Sequence, residues 1–200
     1  MPVSSLLPSS VPTALFVLGV GGSGKSTLSE AFVQKQLSQS GCWCIVDKDV
    51  VGSVFVSSFL ECKGLDPEDR DSDAYMTLCR DLEYATCLRI SAHQLNLGCN
   101  VILPGPWSRE LSAGLLFSAE SLGLPPCNLR HVYLHTSHDM LYQRIAERNS
   151  PRDTWKLSHW EEYLQRADRM AVLAQKKQIP VIQSATPLSQ QIELLQQLLD

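Results

Sequence analysis

Apolar positions fall into short unbroken runs, separated by longer stretches in which they recur every three to four residues. The runs are Ala14 to Leu18, Cys42 to Val46, Asn100 to Leu103, Leu129 to Leu134 and Pro180 to Gln183. Runs of this length without alternation predict strands covered on both faces. The helical stretches are Ser26 to Leu37 (ended by Gly41), Ala74 to Leu97 (ended by Gly98), a segment from Trp107-Ser108 to about Leu122, Trp155 to Lys177, and Leu188 to Leu199. A further helix opens on Ser137-His-Asp139, with Ser137 as its expected cap, and ends near Asn149-Ser-Pro151. Between Asp47 and Asp73 the pattern is mixed, with a polar insert at Asp66 to Asp73.

Strands alternating with helices predict an α/β fold, a three-layer α/β/α sandwich with a five-stranded parallel sheet and right-handed crossovers. No repeat and no linker interrupts it, so residues 14–200 read as one domain. Met1 to Thr13, rich in Ser and Pro, reads as a short disordered leader.

Composition narrows the classes. The chain has 200 residues, 44% of them apolar, which suits one globular domain with its own core. Net charge is −4 and no Lys/Arg-rich block occurs, which argues against nucleic acid as a partner. Seven cysteines are scattered with no CxxC pair; Cys42 and Cys44 alternate on a strand and read as small sheet or core residues. Reduced thiols and a cytoplasmic location are the expectation. No run reaches the ~18–20 apolar residues of a membrane span, and the start lacks the basic residues of a signal peptide. The pattern carries no signal for oligomeric state. The five histidines show no partner pattern, and Trp155, Trp160 and Tyr163 have the spacing of helix packing.

The sharpest local signal is Gly19-Val-Gly21-Gly22-Ser23-Gly24-Lys25-Ser26, a full GxxxxGK[ST] between a buried strand and a helix. Its glycines let backbone N–H groups turn inward around phosphates, and the helix N-terminus adds positive potential. Lys25 reaches the β- and γ-phosphates in such a loop, Ser26 ligates Mg²⁺, and Thr27 follows on the same turn. ATP or GTP, with Mg²⁺, is therefore the expected ligand.

Two further clusters suggest chemistry. The second strand ends in Asp47-Lys48-Asp49, at the edge of a parallel sheet where ligands bind. A carboxylate there either accepts a proton from an attacking hydroxyl or holds the metal's water; the bland alternative is a pair of solvated loop acids. Farther on, Arg144 and Arg148 share a helix face and Arg152 follows Pro151 on a turn. Three guanidiniums at such a corner suit a transferring phosphoryl group, although an exposed, salt-bridged helix end would read the same way. Around the insert, Arg80 and Tyr84 sit four apart on one helix face, near Asp71, Asp73 and Asp81. They either cap an acceptor pocket or form a solvated face. Trp107 and Arg109, after Pro104-Gly-Pro106, either line that pocket or pack beside the turn.

The phosphate loop, the Asp-Lys-Asp after strand two and the RxxxRxxxR segment together resemble the small P-loop kinases of the AAA_33 and zeta-toxin-like group, relatives of polynucleotide 5′-hydroxyl and gluconate kinases. The likeness runs over nearly the whole chain, to Val181-Ile-Gln-Ser-Ala-Thr-Pro-Leu. It implies a P-loop kinase sheet with a helical lid, Asp49 as catalytic base, Asp47 with Ser26 at the metal, and Lys25, Arg144, Arg148 and Arg152 on the phosphates. It also implies an arginine three residues after Asp49 to hold the acceptor, where this chain has Gly52. Nor does strand three end in the Asp that many P-loop proteins carry; it reads Leu103-Pro104.

The expected activity is thus transfer of the γ-phosphoryl group of ATP to a hydroxyl of a small molecule, a sugar, amino acid or nucleoside-like compound. The alternatives are a polynucleotide 5′-hydroxyl kinase or zeta-toxin-like nucleotide-sugar kinase, and a P-loop switch with no acceptor.

Overall fold

The computed structural model describes residues 11–37 and 41–199; the leader expected over Met1 to Thr13 lies mainly outside them. Five strands form one parallel sheet in the order β2-β3-β1-β4-β5: β1 (Thr13–Leu18), β2 (Trp43–Ile45), β3 (Asn100–Gly105), β4 (Asn128–His135) and β5 (Val181–Gln183). Helix α1 (Lys25–Gln36) links β1 to β2, and α10 (Leu188–Leu199) closes the chain.

The unbroken apolar run of β1 is explained by its central place. Ala14, Phe16 and Leu18 face one layer, with Leu103, Tyr84, Trp107 and Met170. Leu15 and Val17 face the other, with Leu28 and Phe32 of α1 and Ile192 and Leu195 of α10. Each such side chain stabilises the fold by ~1.5–3 kcal/mol, and together they fix which strand ends meet at the mouth of the sheet.

The segment after β2 differs most from expectation. The mixed stretch folds into α2 (Lys48–Val51) and α3 (Ser53–Cys62), and the long helix expected at Ala74 to Leu97 is two helices, α4 (Asp73–Leu78) and α5 (Arg80–Asn96). The break is Cys79, at φ −121° and ψ −41°, and Ser72 caps α4 by accepting from Tyr75 N–H. β3 runs on through Pro104 and Gly105 rather than stopping at Leu103. Proline is tolerated because β2 has already ended. Val46 N–H makes the last bond across, to Ile102 O, so nothing opposes the missing N–H two residues later.

The helix expected from Ser108 to Leu122 is cut to α6 (Ser108–Ser112) and two 3₁₀ turns, because Gly114 takes a left-handed conformation at φ +75° and Ser118 an extended one at φ −136°, ψ 119°. Helix α7 (His138–Arg148) ends on a left-handed Asn149, and Ser137 stands at its start without a side-chain capping bond, contrary to expectation. The last long helix is also two, α8 (Thr154–Ser158) and α9 (Trp160–Lys176), divided at His159. Cys42 lies just outside β2 and is exposed, not a core residue.

Candidate functional site

The C-terminal ends of β1, β2 and β3 open into one cleft of about 1190 Å³. Gly21 to Thr27, Asp47 to Asp49, Arg144, Arg148 and Arg152 all line it, together with Arg80, Tyr84 and the Pro104–Pro106 turn. The fold thus gathers three clusters that lie up to about 130 residues apart in the sequence.

The loop has the backbone that phosphate binding needs. Gly22 and Gly24 sit at φ +77° and +94°, and a Cβ on Gly22 would meet Ile145 of α7 at 2.9 Å. Helix α1 begins at Lys25, directly after the left-handed Gly24. Three loop carbonyls are held by side chains: Arg144 donates to Gly22 O at 3.4 Å and Ser23 O at 3.1 Å, and Tyr163 Oη to Gly21 O at 2.6 Å. Arg144 also reaches Ser184, bonding its Oγ and its O at 3.2 Å each, which ties the loop to the end of β5. Arg144 thus acts on the loop through its backbone, a bracing position as the protein stands.

Lys25 Nζ donates to Val20 O at 2.7 Å. Burial pulls its pKa down from 10.5 to about 8, against the opposing pull of Asp49 and Asp47. Ser26 Oγ donates to Asp47 Oδ2 at 3.0 Å, while Asp47 Oδ1 caps α2 by accepting Asp49 N–H at 2.9 Å. A hydroxyl and a carboxylate side by side at the loop are the hard oxygen donors that suit Mg²⁺, which takes one or two protein oxygens and fills its shell with phosphate and water.

Asp49 opens towards the cavity with its side chain 45% exposed, bonded by Lys48 Nζ at 2.6 Å and by a guanidinium N–H of Arg152 at 2.7 Å. Burial pushes its carboxyl up, but Lys48 and Arg152 outweigh it and hold the group well below the usual carboxylate range. Arg152 therefore faces the acid, while Arg148 grips Asp153 through two bonds of 2.7 Å. Asp153 is fully buried and also bonds Lys156 at 3.1 Å; Lys156 in turn reaches Asp71 at 3.0 Å.

The residues expected around an acceptor divide. Arg80 and Tyr84 line the cleft and stack, with the guanidinium carbon 3.7 Å from the ring centroid, while Glu110 grips Arg80 at 2.5 and 2.6 Å. Trp107 does not line the cleft. It is 2% exposed, edge-on to Phe16 and Tyr84, and its ring N–H bonds Leu103 O at 3.3 Å, because a left-handed backbone at φ +48° turns it inward. Arg109 also lies outside the lining, bonding Asp81 at 2.9 Å and Met76 O on the surface. Gly52 has a physical reason: a Cβ there would lie 2.9 Å from the carboxylate of Glu83, itself buried and hydrogen-bonded by the Tyr75 hydroxyl. An acid from α5 fills the space that a longer side chain at position 52 would need.

Sequence reasoning missed Tyr163, Lys156 and Asp153 at the cleft. The helical spacing of Tyr163 points to packing and gives no hint that its hydroxyl meets the loop. The i,i+4 pair Arg152 and Lys156 flanking Asp153 was the available signal for the other two.

A parallel sheet whose first strand feeds a GxxxxGK[ST] loop and a helix defines a P-loop nucleotide-binding fold. A family model described as the AAA domain family AAA_33 matches residues 15–170, and the chain belongs to that family. No curated protein matches the sequence. Among solved structures, an unliganded sugar kinase from Janibacter sp. HTCC2649 is 17% identical with a TM-score of 0.60, over 94% of this chain and 95% of that one. A deoxyadenosine kinase from M. mycoides with bound dATP is 17% identical with a TM-score of 0.57, over 93% and 98%. The APS kinase of Mycobacterium tuberculosis, in complex with AMPPNP and APS, is 15% identical with a TM-score of 0.55, over 96% and 99%. These likenesses establish the P-loop kinase fold. Among the described residues, no helix is long and apolar enough to cross a membrane.

Proposed function

We propose that this protein is a kinase that transfers the γ-phosphoryl group of ATP to a hydroxyl of a small molecule. The observation that carries this reading is the position of Asp49: an ionised carboxylate facing the same cleft as the phosphate loop, beside the Ser26–Asp47 pair. A carboxylate in that place is positioned to accept the proton of a hydroxyl that attacks the γ-phosphate. The cleft volume of about 1190 Å³ also exceeds the ~300–1,000 Å³ of an ordinary single-ligand site, leaving room for two reactants.

In this reading the inward N–H groups of Gly21 to Thr27 hold the phosphates, and protonated Lys25 leaves Val20 O for the β- and γ-phosphate oxygens. Ser26 and Asp47 would hold Mg²⁺, which when bound neutralises phosphate charge. Asp49 accepts the proton of the attacking hydroxyl. The low proton affinity that neighbouring Lys48 imposes on it fits a loose transition state, in which the hydroxyl keeps its proton until late. Arg148 and Arg152 exchange Asp153 and Asp49 for phosphate oxygens once nucleotide enters, stabilising charge on the transferring group. Gly52, which leaves no arginine three residues after Asp49 to hold an acceptor's phosphates, weighs against a polynucleotide acceptor.

Incubating the protein with Mg²⁺·ATP and pooled hydroxyl metabolites, with mass spectrometry for a gain of phosphate, tests the reading, with Asp49→Asn as the blank. A phosphorylated product made by the native protein and not by the variant supports it. Identical products from both remove Asp49 as base, and ATP hydrolysis with no phosphorylated product favours the switch.

A further inference from the structure

The end of the sheet away from the cleft carries a feature that phosphoryl transfer does not use. Cys42, just before β2, and Cys99, just before β3, bring their Sγ atoms to 2.7 Å. They come from segments 57 residues apart. The sheet itself sets them together: Trp43 pairs with Asn100 in register, and Asn100 N–H bonds Cys42 O at 2.9 Å. Neighbouring strands lie ~4.7–4.9 Å apart, inside the ~4.4–6.8 Å between Cα atoms that a disulfide spans. Joining the sulfurs at ~2.05 Å therefore asks for a movement well under ~1 Å, with no rearrangement of either strand.

The two thiols are unlike. Cys42 is exposed and open to an oxidant, whereas Cys99 is 6% exposed, with its thiol pushed up to about 12 by burial and by the neighbouring Cys42 and Cys44. A third thiol, Cys44, lies two pairs along, opposite Val101.

We propose that Cys42 and Cys99 are a disulfide-forming pair, with Cys42 the sulfur that peroxide oxidises and Cys99 the resolving sulfur. The Cys42 thiol gives up its proton, the thiolate attacks one oxygen of hydrogen peroxide and the O–O bond breaks, leaving sulfenic acid and a hydroxide that takes that proton as water. The Cys99 sulfur then attacks the Cys42 sulfur. The S–S bond forms, the S–O bond breaks, and the leaving hydroxide takes the Cys99 proton as a second water. Two thiols lose two electrons in all, and the peroxide gains them. The bridge staples the edge strand β2 to β3. It lies five residues from Asp47, about 16 Å along an extended chain, so the cleft stays open in the oxidised protein.

The test treats the full chain with a small excess of hydrogen peroxide, blocks remaining thiols by alkylation, and maps the unreduced digest by mass spectrometry. The expected result is loss of two of the seven thiols, a Cys42–Cys99 linked peptide lacking two hydrogens, and a melting temperature raised by roughly 5–10 °C and restored by dithiothreitol. Cys99→Ser should leave Cys42 as a sulfenic acid trapped by dimedone, and Cys42→Ser should leave Cys99 unreacted. A principal crosslink through Cys44 or between two copies, over-oxidation of Cys42 beside an intact Cys99 thiol, or no thiol loss overturns the proposal. Nucleotide binding, read on the same samples, separates a damaged fold from an oxidised one.

Discussion

The two ends of the cleft are built in opposite ways. At the phosphate corner the groups that would meet ligand are backbone N–H groups, supplied by one stretch of chain from Gly21 to Thr27 and braced through its carbonyls by Arg144 and Tyr163. At the far end the wall is made of side chains from separate helices, Tyr75 of α4, Arg80 and Tyr84 of α5, Ser108 and Ser112 of α6, Met170 and Leu173 of α9. A site written in the backbone can serve any ligand with phosphates. A site written in side chains holds whatever those side chains select, and this is the part that differs between kinases sharing one sheet.

That contrast is open to attack. The largest effect should come from Lys25→Ala, which removes the only side-chain charge of the loop itself: phosphoryl transfer should fall by ~10³-fold or more, read as product formed from Mg²⁺·ATP. Retention of rate to within tenfold would show that the corner does not work as argued. Asp49→Asn should cost ~10²–10³ in turnover, the range of a lost general base, while the nucleotide dissociation constant changes less than about threefold. A large loss of nucleotide affinity would move Asp49 from the far end to the phosphate corner.

Proton uptake probes the corner more gently. Nucleotide requires the protonated ammonium of Lys25, whose pKa of about 8 lies below the ordinary value. Affinity should therefore be level below pH 8 and weaken above it, by up to ~tenfold per pH unit, until the raised pKa of the complex is reached. Calorimetry at pH 8 in buffers of different ionisation enthalpy should show net proton uptake on binding; none would mean that Lys25 is already fully charged. The smallest catalytic effect belongs to Trp107→Phe. Its loss of packing and of the bond to Leu103 O should lower stability by ~1–3 kcal/mol in denaturant titration and leave turnover within about twofold. A large fall in turnover with stability intact would return Trp107 to the acceptor wall.

The same contrast governs what the sequence could tell. The phosphate loop was legible because its geometry is local: glycine, lysine and serine at fixed spacing between a strand and a helix leave little else to fold into. The sheet was legible because burial on both faces forces unbroken apolar runs, as in β1. The far end was not, since its shape depends on where α5 lands against β3, and nothing in Trp107 or Arg109 reveals that one turns into the core and the other out to Asp81. The lid arginines fall between. Their spacing shows that they share a corner, but their partners are set by the fold: Arg144 holds loop carbonyls and Ser184, Arg148 the buried Asp153, and Arg152 the distant Asp49. The divisions of α4 from α5 and of α8 from α9 leave no mark in the apolar periodicity, since each rests on the backbone of one residue, Cys79 or His159.

The sheet has one more consequence, for how copies of the chain treat each other. Its two outer strands, β2 and β5, are each three residues long, against six to eight for the strands inside them. An outer strand that short offers a neighbouring chain few free backbone groups to pair with, so the sheet gives poor purchase for edge-to-edge growth into larger assemblies. The two margins that must carry the least structure are also the ones least able to template aggregation.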